Sequence, residues 1–328
     1  LFAIGLKALI LFFLAKGEIS FLKPQKSFII NYYNDAKPFI IFSILSVFTS
    51  NFGYIFLDLS VGHERLAYFY IVNAYIVPLM SSISLSLISI CLPLFSIYLA
   101  NNENKKVENF IHILEKNISI ILLFFILNIL TIGRLVFLLF LPKYIESYPI
   151  LCILVIHVYF QETSRTYGVT LNSGKKQKLT SLLSIIRLFS ELSLLIILVP
   201  DNVFSIKMAG LGGIGYAVAI LIPNLIINFI THRYYTKRIF NINPQKQLIS
   251  HILIAIISLI FVLMIQSYIL NLFISREDIL NIPIMVMINF VIFFALLVVF
   301  KILNKEDFEM VKEILTIKNY IRSFKEEF

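Results

Sequence analysis

The feature that most constrains this chain is an uncharged apolar stretch of 20 residues, 38–57. A short polar turn at 58–65 joins it to a longer apolar stretch, 66–100. A helix needs about 20 apolar residues to cross a bilayer. In water two such stretches would aggregate, whereas in lipid each helix satisfies its own backbone hydrogen bonds. The pair is therefore expected to form a transmembrane hairpin.

Composition supports the same conclusion. Hydrophobic residues make up 59% of the chain and charged residues 14%, against about 45 to 50% and 25% in soluble domains. A soluble fold would lack polar residues to cover its surface. The two cysteines lie in apolar runs, the five histidines lack metal-ligand spacing, and no glycine-rich phosphate loop is present. The sequence therefore predicts neither a cofactor nor a metal site.

Nine apolar segments follow one another along the chain: 1–15, 38–57, 66–100, 118–133, 150–171, 179–199, 209–230, 248–274 and 282–300. The first is short, and it lacks the basic start and cleavage site of a signal peptide. It is interpreted as the end of a helix whose beginning is missing. The expected fold is all-α: a polytopic membrane bundle of about eight full transmembrane helices and one truncated N-terminal helix.

The connections between successive segments fall into two alternating sets, which differ in how many lysines and arginines they contain. One set, with the tail from residue 301, carries 20 of them, whereas the other set carries 5. By the positive-inside rule the first set and the C-terminus are expected to be cytoplasmic. The net charge of +9 thus reports topology and contact with anionic lipids, and nucleic acid is not expected as a partner.

Five short motifs lie in order at the ends of these segments. They are DLSVGHERLAY (58–68) with VNA (72–74), PLFS (93–96) before NNENKK (101–106), LLFLPKYIESYP (138–149), LNSGK (171–175) and GLGGIGYAVA (210–219). In these motifs the chain resembles the C-terminal part of bacterial polysaccharide flippases. Those O-antigen exporters of lipid-linked oligosaccharides share a superfamily with multidrug and toxin extrusion antiporters. Ala67 stands where that family usually has glycine.

The resemblance implies one lobe of a two-lobe, alternating-access transporter in the bacterial cytoplasmic membrane. Its implied partners are a lipid-linked oligosaccharide, membrane lipids, a coupling H⁺ or Na⁺, and a missing N-terminal lobe of the same chain. The expected organisation is the end of an N-lobe helix with a cytoplasmic linker (1–37), a six-helix C-terminal lobe (38–240), two additional helices (241–303) and an amphipathic cytoplasmic tail (304–328).

Polar groups inside the apolar segments are the first candidates for function, because an ionised side chain at a helix centre costs about 2.5 to 3.5 kcal/mol on insertion scales. They are His157, Gln161, Glu162, Arg165, Arg187 and Glu191. Helical spacing predicts the pairs Glu162 with Arg165 and Arg187 with Glu191. Hairpin geometry also puts Glu162 level with Arg187, and His157 level with Glu191. These groups lock the helices together, or hold a substrate pyrophosphate through Arg165 or Arg187, or extend to a membrane interface by snorkelling.

The 38–100 hairpin carries a second set of candidates. Asn51, Tyr54 and Asp58 recur at helical spacing, with Asn73 on the partner helix. The resemblance implies that these two helices line the cavity, as a sugar-facing surface. Hydrogen bonds between helices and a solvated helix end are the alternative. Pro78 and Pro93 are expected to kink their helix, either as gating hinges or as simple bends.

Three functions remain open at this point. The first is a flippase that moves a polyprenyl-pyrophosphate-linked oligosaccharide across the cytoplasmic membrane for cell-surface polysaccharide synthesis. The second is a cation-coupled multidrug antiporter of the same superfamily. The third is a polytopic membrane enzyme, such as a polysaccharide polymerase or ligase. The expectation is a transporter without enzymatic activity, because the longest outer connection, 134–149, is short and lacks histidine.

Overall fold

The computed structural model describes residues 26–203, 206–245, 247–273 and 281–302. These residues form ten α-helices: α1 (Lys26–Val61), α2 (His63–Ile71), α3 (Val77–Ala100), α4 (Asn104–Phe140), α5 (Ser147–Ser173), α6 (Gln177–Leu198), α7 (Gly212–Pro223), α8 (His232–Phe240), α9 (Leu248–Phe273) and α10 (Asn281–Val299). A 3₁₀ turn, Pro142–Tyr144, precedes α5, and two short antiparallel strands, β1 (Asn202–Val203) and β2 (Ile206–Lys207), precede α7. The predicted segment 1–15 and tail 304–328 lie outside the described residues.

The helices confirm the expected polytopic, all-α membrane bundle. Six stretches among the described residues are long and apolar enough to cross a membrane: Ile40–Val61, Asn104–Phe140, Gln177–Leu198, Gly212–Phe240, Leu248–Ile265 and Ile282–Val299. The candidate-bearing α5 is not one of them, because polar side chains interrupt its apolar run. The stretches between the predicted segments at 101–117 and 231–247 are largely helical, since α4 begins at Asn104 and α8 continues to Phe240.

Two turns of π-helix interrupt the α-helical runs. One, Val72–Ile76, separates α2 from α3, and Pro78 lies in the first turn of α3. The other, Asn224–Thr231, follows Pro223 at the end of α7. A proline frees a backbone carbonyl one turn before it, and π turns are frequent at functional sites. Pro78 thus coincides with an irregular turn, whereas Pro93 lies inside a continuous α3.

The bundle contains two packed groups of helices. In one, α1 packs on α6 and α7; in the other, α3 packs on α4 and α5. The Gly62 turn between α1 and α2 connects the groups at one end, and a buried core that includes Leu57, Phe69 and Tyr216 fills the space beneath it. Helices α9 and α10 pack on α4 and on each other. Helix α5 touches both groups, so it carries its polar residues to the boundary between them.

Candidate functional site

Two ion pairs lie at this boundary, one on each of two consecutive helices. The Arg165 Nη2 atom lies 2.6 Å from Glu162 Oε1 on α5, and Arg187 Nη1 lies 3.3 Å from Glu191 Oε2 on α6. Both predicted pairings are therefore confirmed. The Glu162 carboxylate is fully buried and Glu191 is 7% exposed, whereas the two arginine side chains are 24% and 18% exposed. In both pairs the arginine side chain is therefore the more accessible partner.

The two guanidinium groups line one cavity of about 280 Å³. Its wall also contains polar side chains from α5, from the second π turn and from α8: Gln161, Ser164, Asn172, Asn228 and His232. Phe42 of α1 also lines it. Neither Glu162 nor Glu191 lines this cavity. The lining therefore presents two positive charges and several neutral hydrogen-bonding groups, which is the chemistry of an anion site.

The turn between α5 and α6 brings the two arginines to a similar depth. Lys175 occupies this turn with a φ of 59°, and the helices on either side run antiparallel. Arg165 precedes the turn by ten residues and Arg187 follows it by twelve, which corresponds to about 15 and 18 Å at 1.5 Å per residue. In a hydrocarbon core about 30 Å thick, both lie near the centre.

Three donors occupy the Glu162 carboxylate. Ser84 of α3 hydrogen-bonds to Oε2, while Gln161 Nε2 donates to Oε1 at 3.1 Å and Arg165 Nη2 donates to it at 2.6 Å. Glu162 therefore ties α3 to α5 and orients Arg165 toward the cavity. The sequence also predicted that Glu162 lies level with Arg187 of α6. Within the described structure the two side chains make no contact, because all partners of the Glu162 carboxylate lie on α3 and α5.

His157 is buried on α5, about two turns before Arg165. Its carbonyl oxygen accepts a hydrogen bond of 3.2 Å from Asn224 Nδ2, at the start of the second π turn. The sequence also predicted that His157 lies level with Glu191. In the described part of the chain these two side chains make no direct bond, and Glu191 bonds to Arg187 of its own helix.

The hairpin candidates divide into two sets. Asn73 Nδ2 donates to the Tyr54 hydroxyl at 2.8 Å, so these two residues meet across the hairpin. Asp58 instead pairs with His63 at 2.5 Å beside the Gly62 turn. Asn51 donates to the Val47 carbonyl of its own helix at 2.8 Å. The structure therefore joins Tyr54 with Asn73 and leaves Asn51 and Asp58 apart from them.

A second buried charge cluster was missed by the sequence analysis. Arg233 of α8 pairs with Glu115 of α4, and Tyr167 of α5 donates from its hydroxyl to Glu115 Oε2 at 2.6 Å. Glu115 and Tyr167 are fully buried and Arg233 is 9% exposed. The guanidinium also stacks 3.7 Å from the Phe229 ring centroid and donates to the Phe229 carbonyl at 2.8 Å. We name Glu115, Tyr167 and Arg233 the sealed cluster.

The sealed cluster was missed because charge counting placed Glu115 and Arg233 in loops. The available signal was helical spacing. Val107 and Ile111 precede Glu115 by eight and four residues and are fully buried, which extends one apolar face through the supposed loop.

A further polar contact involves α9. His251 Nδ1 lies 3.2 Å from Ser119 Oγ, which lies 2.9 Å from the Tyr159 hydroxyl. Beside Tyr159 an apolar cavity of about 220 Å³ opens between α4, α5 and α9. Among the described residues no group of three histidine, cysteine or acidic side chains is placed to hold a metal ion.

Fold and buried charges together define a multi-pass helical membrane protein. No family model matches the chain, and no curated protein matches it. Among solved structures it is similar to the lipid II flippase MurJ in an inward closed conformation, with a TM-score of 0.64 and 15% sequence identity. The match covers 89% of this chain and 59% of that one, so the chain spans less than two thirds of that protein's length. The likeness shows that this chain shares the fold of the matched part of that structure.

Proposed function

We propose that this chain contributes one lobe of a transporter that moves a polyprenyl-pyrophosphate-linked oligosaccharide across the bacterial cytoplasmic membrane. Residues 38–240 would form the lobe, and the two helices after it would be additional. The observation that carries the proposal is the cavity in which Arg165 and Arg187 are accessible while their carboxylate partners are withheld. The shared fold supports it, because the similar solved structure is a flippase of lipid II by name.

A pyrophosphate fits this cavity chemically. It carries several negative oxygens in a compact group, and a guanidinium donates two parallel hydrogen bonds to such oxygens. Two guanidinium groups on adjacent helices can each bind one of the two phosphates. The buried carboxylates behind them reduce the cost of holding two positive charges near the centre of the membrane. The amides of Gln161, Asn172 and Asn228 offer further donors.

The apolar cavity beside Tyr159 suits the lipid part of the same substrate. It lies between α4, α5 and α9, and nearly all of its lining is aliphatic or aromatic. Both cavities use α5: Ile156 and Phe160 face the apolar one, whereas Gln161 and Arg165 face the charged one. A single helix therefore separates a place for a polyprenyl chain from a place for its pyrophosphate.

The two other functions receive less support. A cation-coupled antiporter needs a carboxylate that a cation can reach, whereas Glu162 is saturated by three donors and fully buried. A polymerase or ligase needs polar residues gathered in a long outer connection. The described connection between α4 and α5 contains only the residues from Leu141 to Glu146.

Transport of a fluorescent polyprenyl-pyrophosphate-linked sugar by the full-length protein in vesicles tests the proposal. Arg187→Ala is expected to reduce transport about 10- to 100-fold, as removal of a charged hydrogen bond worth about 1.5 to 3 kcal/mol predicts. Arg187→Lys is expected to recover little, because an ammonium cannot make the bidentate contact. The matched control is Arg238→Ala, an exposed arginine on α8 that does not line the cavity. Normal transport by folded Arg165→Ala and Arg187→Ala variants would contradict the proposal.

A further inference from the structure

A second polar cavity opens at the turn between α5 and α6. Its volume is about 780 Å³, against about 280 Å³ for the proposed pyrophosphate site. The end of α3, the turn itself and the end of α8 form its walls. Its polar lining residues are Ser96, Asn172, Ser173, Lys175 and Gln177. Among the described residues that line it, Lys175 is the one charged side chain, and we name this space the turn cavity.

The turn cavity is open both to positive charge and to lipid. Its turn belongs to the lysine-rich set of connections, which the positive-inside rule predicts to be cytoplasmic. Lys175, Lys176 and Lys178 are exposed there, and clustered positive charges attract anions. The apolar wall runs along α3 from Ala100 to Leu92, or about 12 Å toward the centre of the membrane. Leu92 is 46% exposed, so a lipid of the same leaflet can reach this wall from the side.

The turn cavity adjoins the proposed pyrophosphate site at Asn172, which lines both. The Asn172 Oδ1 atom accepts a hydrogen bond of 2.6 Å from Thr180 Oγ1 of α6. Thr180 is 6% exposed, so this bond is buried between α5 and α6. The two cavities therefore meet at a hydrogen-bonded pair of polar side chains.

Helix α6 carries polar side chains from one cavity to the other. Gln177 lines the turn cavity, whereas Ser184 and Arg187 line the proposed pyrophosphate site. Ser181 follows Gln177 by four residues and precedes Ser184 by three, so these three share a helix face. The Ser181 side chain is buried, and its hydroxyl has no hydrogen-bond partner among the described residues. An unpaired buried hydroxyl costs free energy, which a polar group passing between the cavities would recover.

We propose that the turn cavity is a loading subsite, which binds the phosphate head group of the substrate lipid before it passes Asn172 and reaches Arg165 and Arg187. This assignment rests on the proposed function and adds the entry of the substrate from the inner leaflet. Lys175 donates to the phosphate oxygens, and Asn172 and Gln177 add amide donors. One lysine binds phosphate as a point charge, whereas two guanidinium groups bind it bidentately. The head group is therefore held more tightly as it moves inward.

Transport by the full-length protein in vesicles, measured against the density of the fluorescent lipid, tests the subsite. Lys175→Asn removes the charge and suits the left-handed φ of 59° at this position. It is expected to raise KM about three- to tenfold, the effect of one hydrogen bond at an exposed side chain, and to leave kcat unchanged. Lys175→Arg is expected to restore the KM. The matched control is Lys176→Ala, an exposed neighbour outside the cavity lining, which is expected to retain the unmodified KM.

Protection of a cysteine measures occupancy of the turn cavity without transport. Ser173→Cys, in the full-length protein with Cys91 and Cys152 replaced by alanine, places a thiol in the lining. A short-chain prenyl pyrophosphate is expected to slow its reaction with a water-soluble maleimide at least threefold. The prenyl alcohol of the same length is expected to give no protection. Addition of Arg187→Ala is expected to preserve the protection, because binding at the turn precedes contact with the arginines.

Three results would overturn the loading subsite: an unchanged KM in Lys175→Asn, equal protection by the prenyl alcohol, or protection by inorganic pyrophosphate but not by the prenyl pyrophosphate. The last result would assign the turn cavity to a soluble anion. Failure of the proposed function looks different, because folded Arg165→Ala and Arg187→Ala variants would then transport normally. If only the subsite fails, the two arginine variants remain impaired while Lys175→Asn and Lys176→Ala behave alike.

Discussion

The sealed cluster and the cavity lined by Arg165 and Arg187, which we call the arginine cavity, both depend on ion pairs between arginine and glutamate, but in opposite arrangements. In the sealed cluster Arg233 is enclosed by Glu115, Tyr167 and Phe229, and its charge meets partners from three separate elements. In the cavity Arg165 and Arg187 each pair with a carboxylate of their own helix, and their side chains stay partly accessible. Partners from several elements fix helices against one another, whereas a partner from the same helix leaves the charge available for a ligand.

The largest expected effect is the loss of the sealed cluster. Arg233→Ala leaves the fully buried Glu115 carboxylate without its ion pair, and breaking a buried pair costs about 3 to 5 kcal/mol. Thermal unfolding of the purified protein measures the change. Replacement of both partners, Glu115→Leu with Arg233→Met, is expected to recover most of that stability because no unpaired charge remains. A single variant as stable as the unmodified protein would show that the cluster does not hold α4 to α8.

The next largest effect concerns the hydrogen bond between Ser84 of α3 and Glu162 of α5. Ser84→Ala removes one of three donors to Glu162, and a hydrogen bond to a charged group contributes about 1.5 to 3 kcal/mol. We expect a loss of stability near the lower end of this range, because Gln161 and Arg165 remain as donors. The matched control is Ser193→Ala on α6, whose hydroxyl bonds only to its own helix at the Phe189 carbonyl in the described structure. Equal stability of the two variants would remove the proposed link between α3 and α5.

The salt concentration is expected to affect the arginine cavity and the sealed cluster differently, by a smaller amount than the substitutions above. An accessible charge is screened as the Debye length falls from about 10 Å at 0.1 M to about 3 Å at 1 M, whereas buried pairs are screened much less. Binding of a pyrophosphate probe is therefore expected to weaken severalfold across this range. The stability difference between the unmodified protein and Tyr167→Phe, measured in the same solutions, is expected to stay constant. Salt-independent probe binding would indicate that the arginines do not contact it.

The smallest effect is expected between α4 and α10. Asn289 Nδ2 donates to Asn128 Oδ1 at 3.0 Å and to Thr131 Oγ1 at 2.8 Å. Such hydrogen bonds between membrane helices contribute about 0.6 kcal/mol on average. Asn289→Leu is thus expected to lower stability by about that amount and to leave probe binding unchanged. A large loss of binding would mean that the two last helices take part in the site directly.

The sequence could predict contacts between residues that are close together along one helix. Helical spacing alone brings Glu162 to Arg165 and Arg187 to Glu191, since residues three and four apart share a face. The all-helical fold followed from runs of apolar residues that only lipid can surround. Helical spacing could extend an apolar helix face as far as Glu115, but it could not find the pairing of Ser84 with Glu162 or of Glu115 with Arg233, because these partners lie 78 and 118 residues apart and depend on tertiary packing.

The irregular turns were only partly predictable. Pro78 and Pro223 mark places where a helix loses a hydrogen bond, yet their sequences do not say whether a bend or a π turn results. The π turn after Pro223 brings Asn228 and His232 to the cavity wall. The polar lining on that side therefore could not be inferred from the apolar pattern of residues 209–230.

The most direct measurement is the affinity of the purified full-length protein for a soluble, short-chain prenyl pyrophosphate, with and without the two arginines. Arg165→Ala and Arg187→Ala are each predicted to raise the Kd about tenfold or more, while Tyr167→Phe, at the sealed cluster and outside the cavity lining, leaves it unchanged. Equal affinity of both arginine variants and the unmodified protein would contradict the assignment of this cavity as the pyrophosphate site.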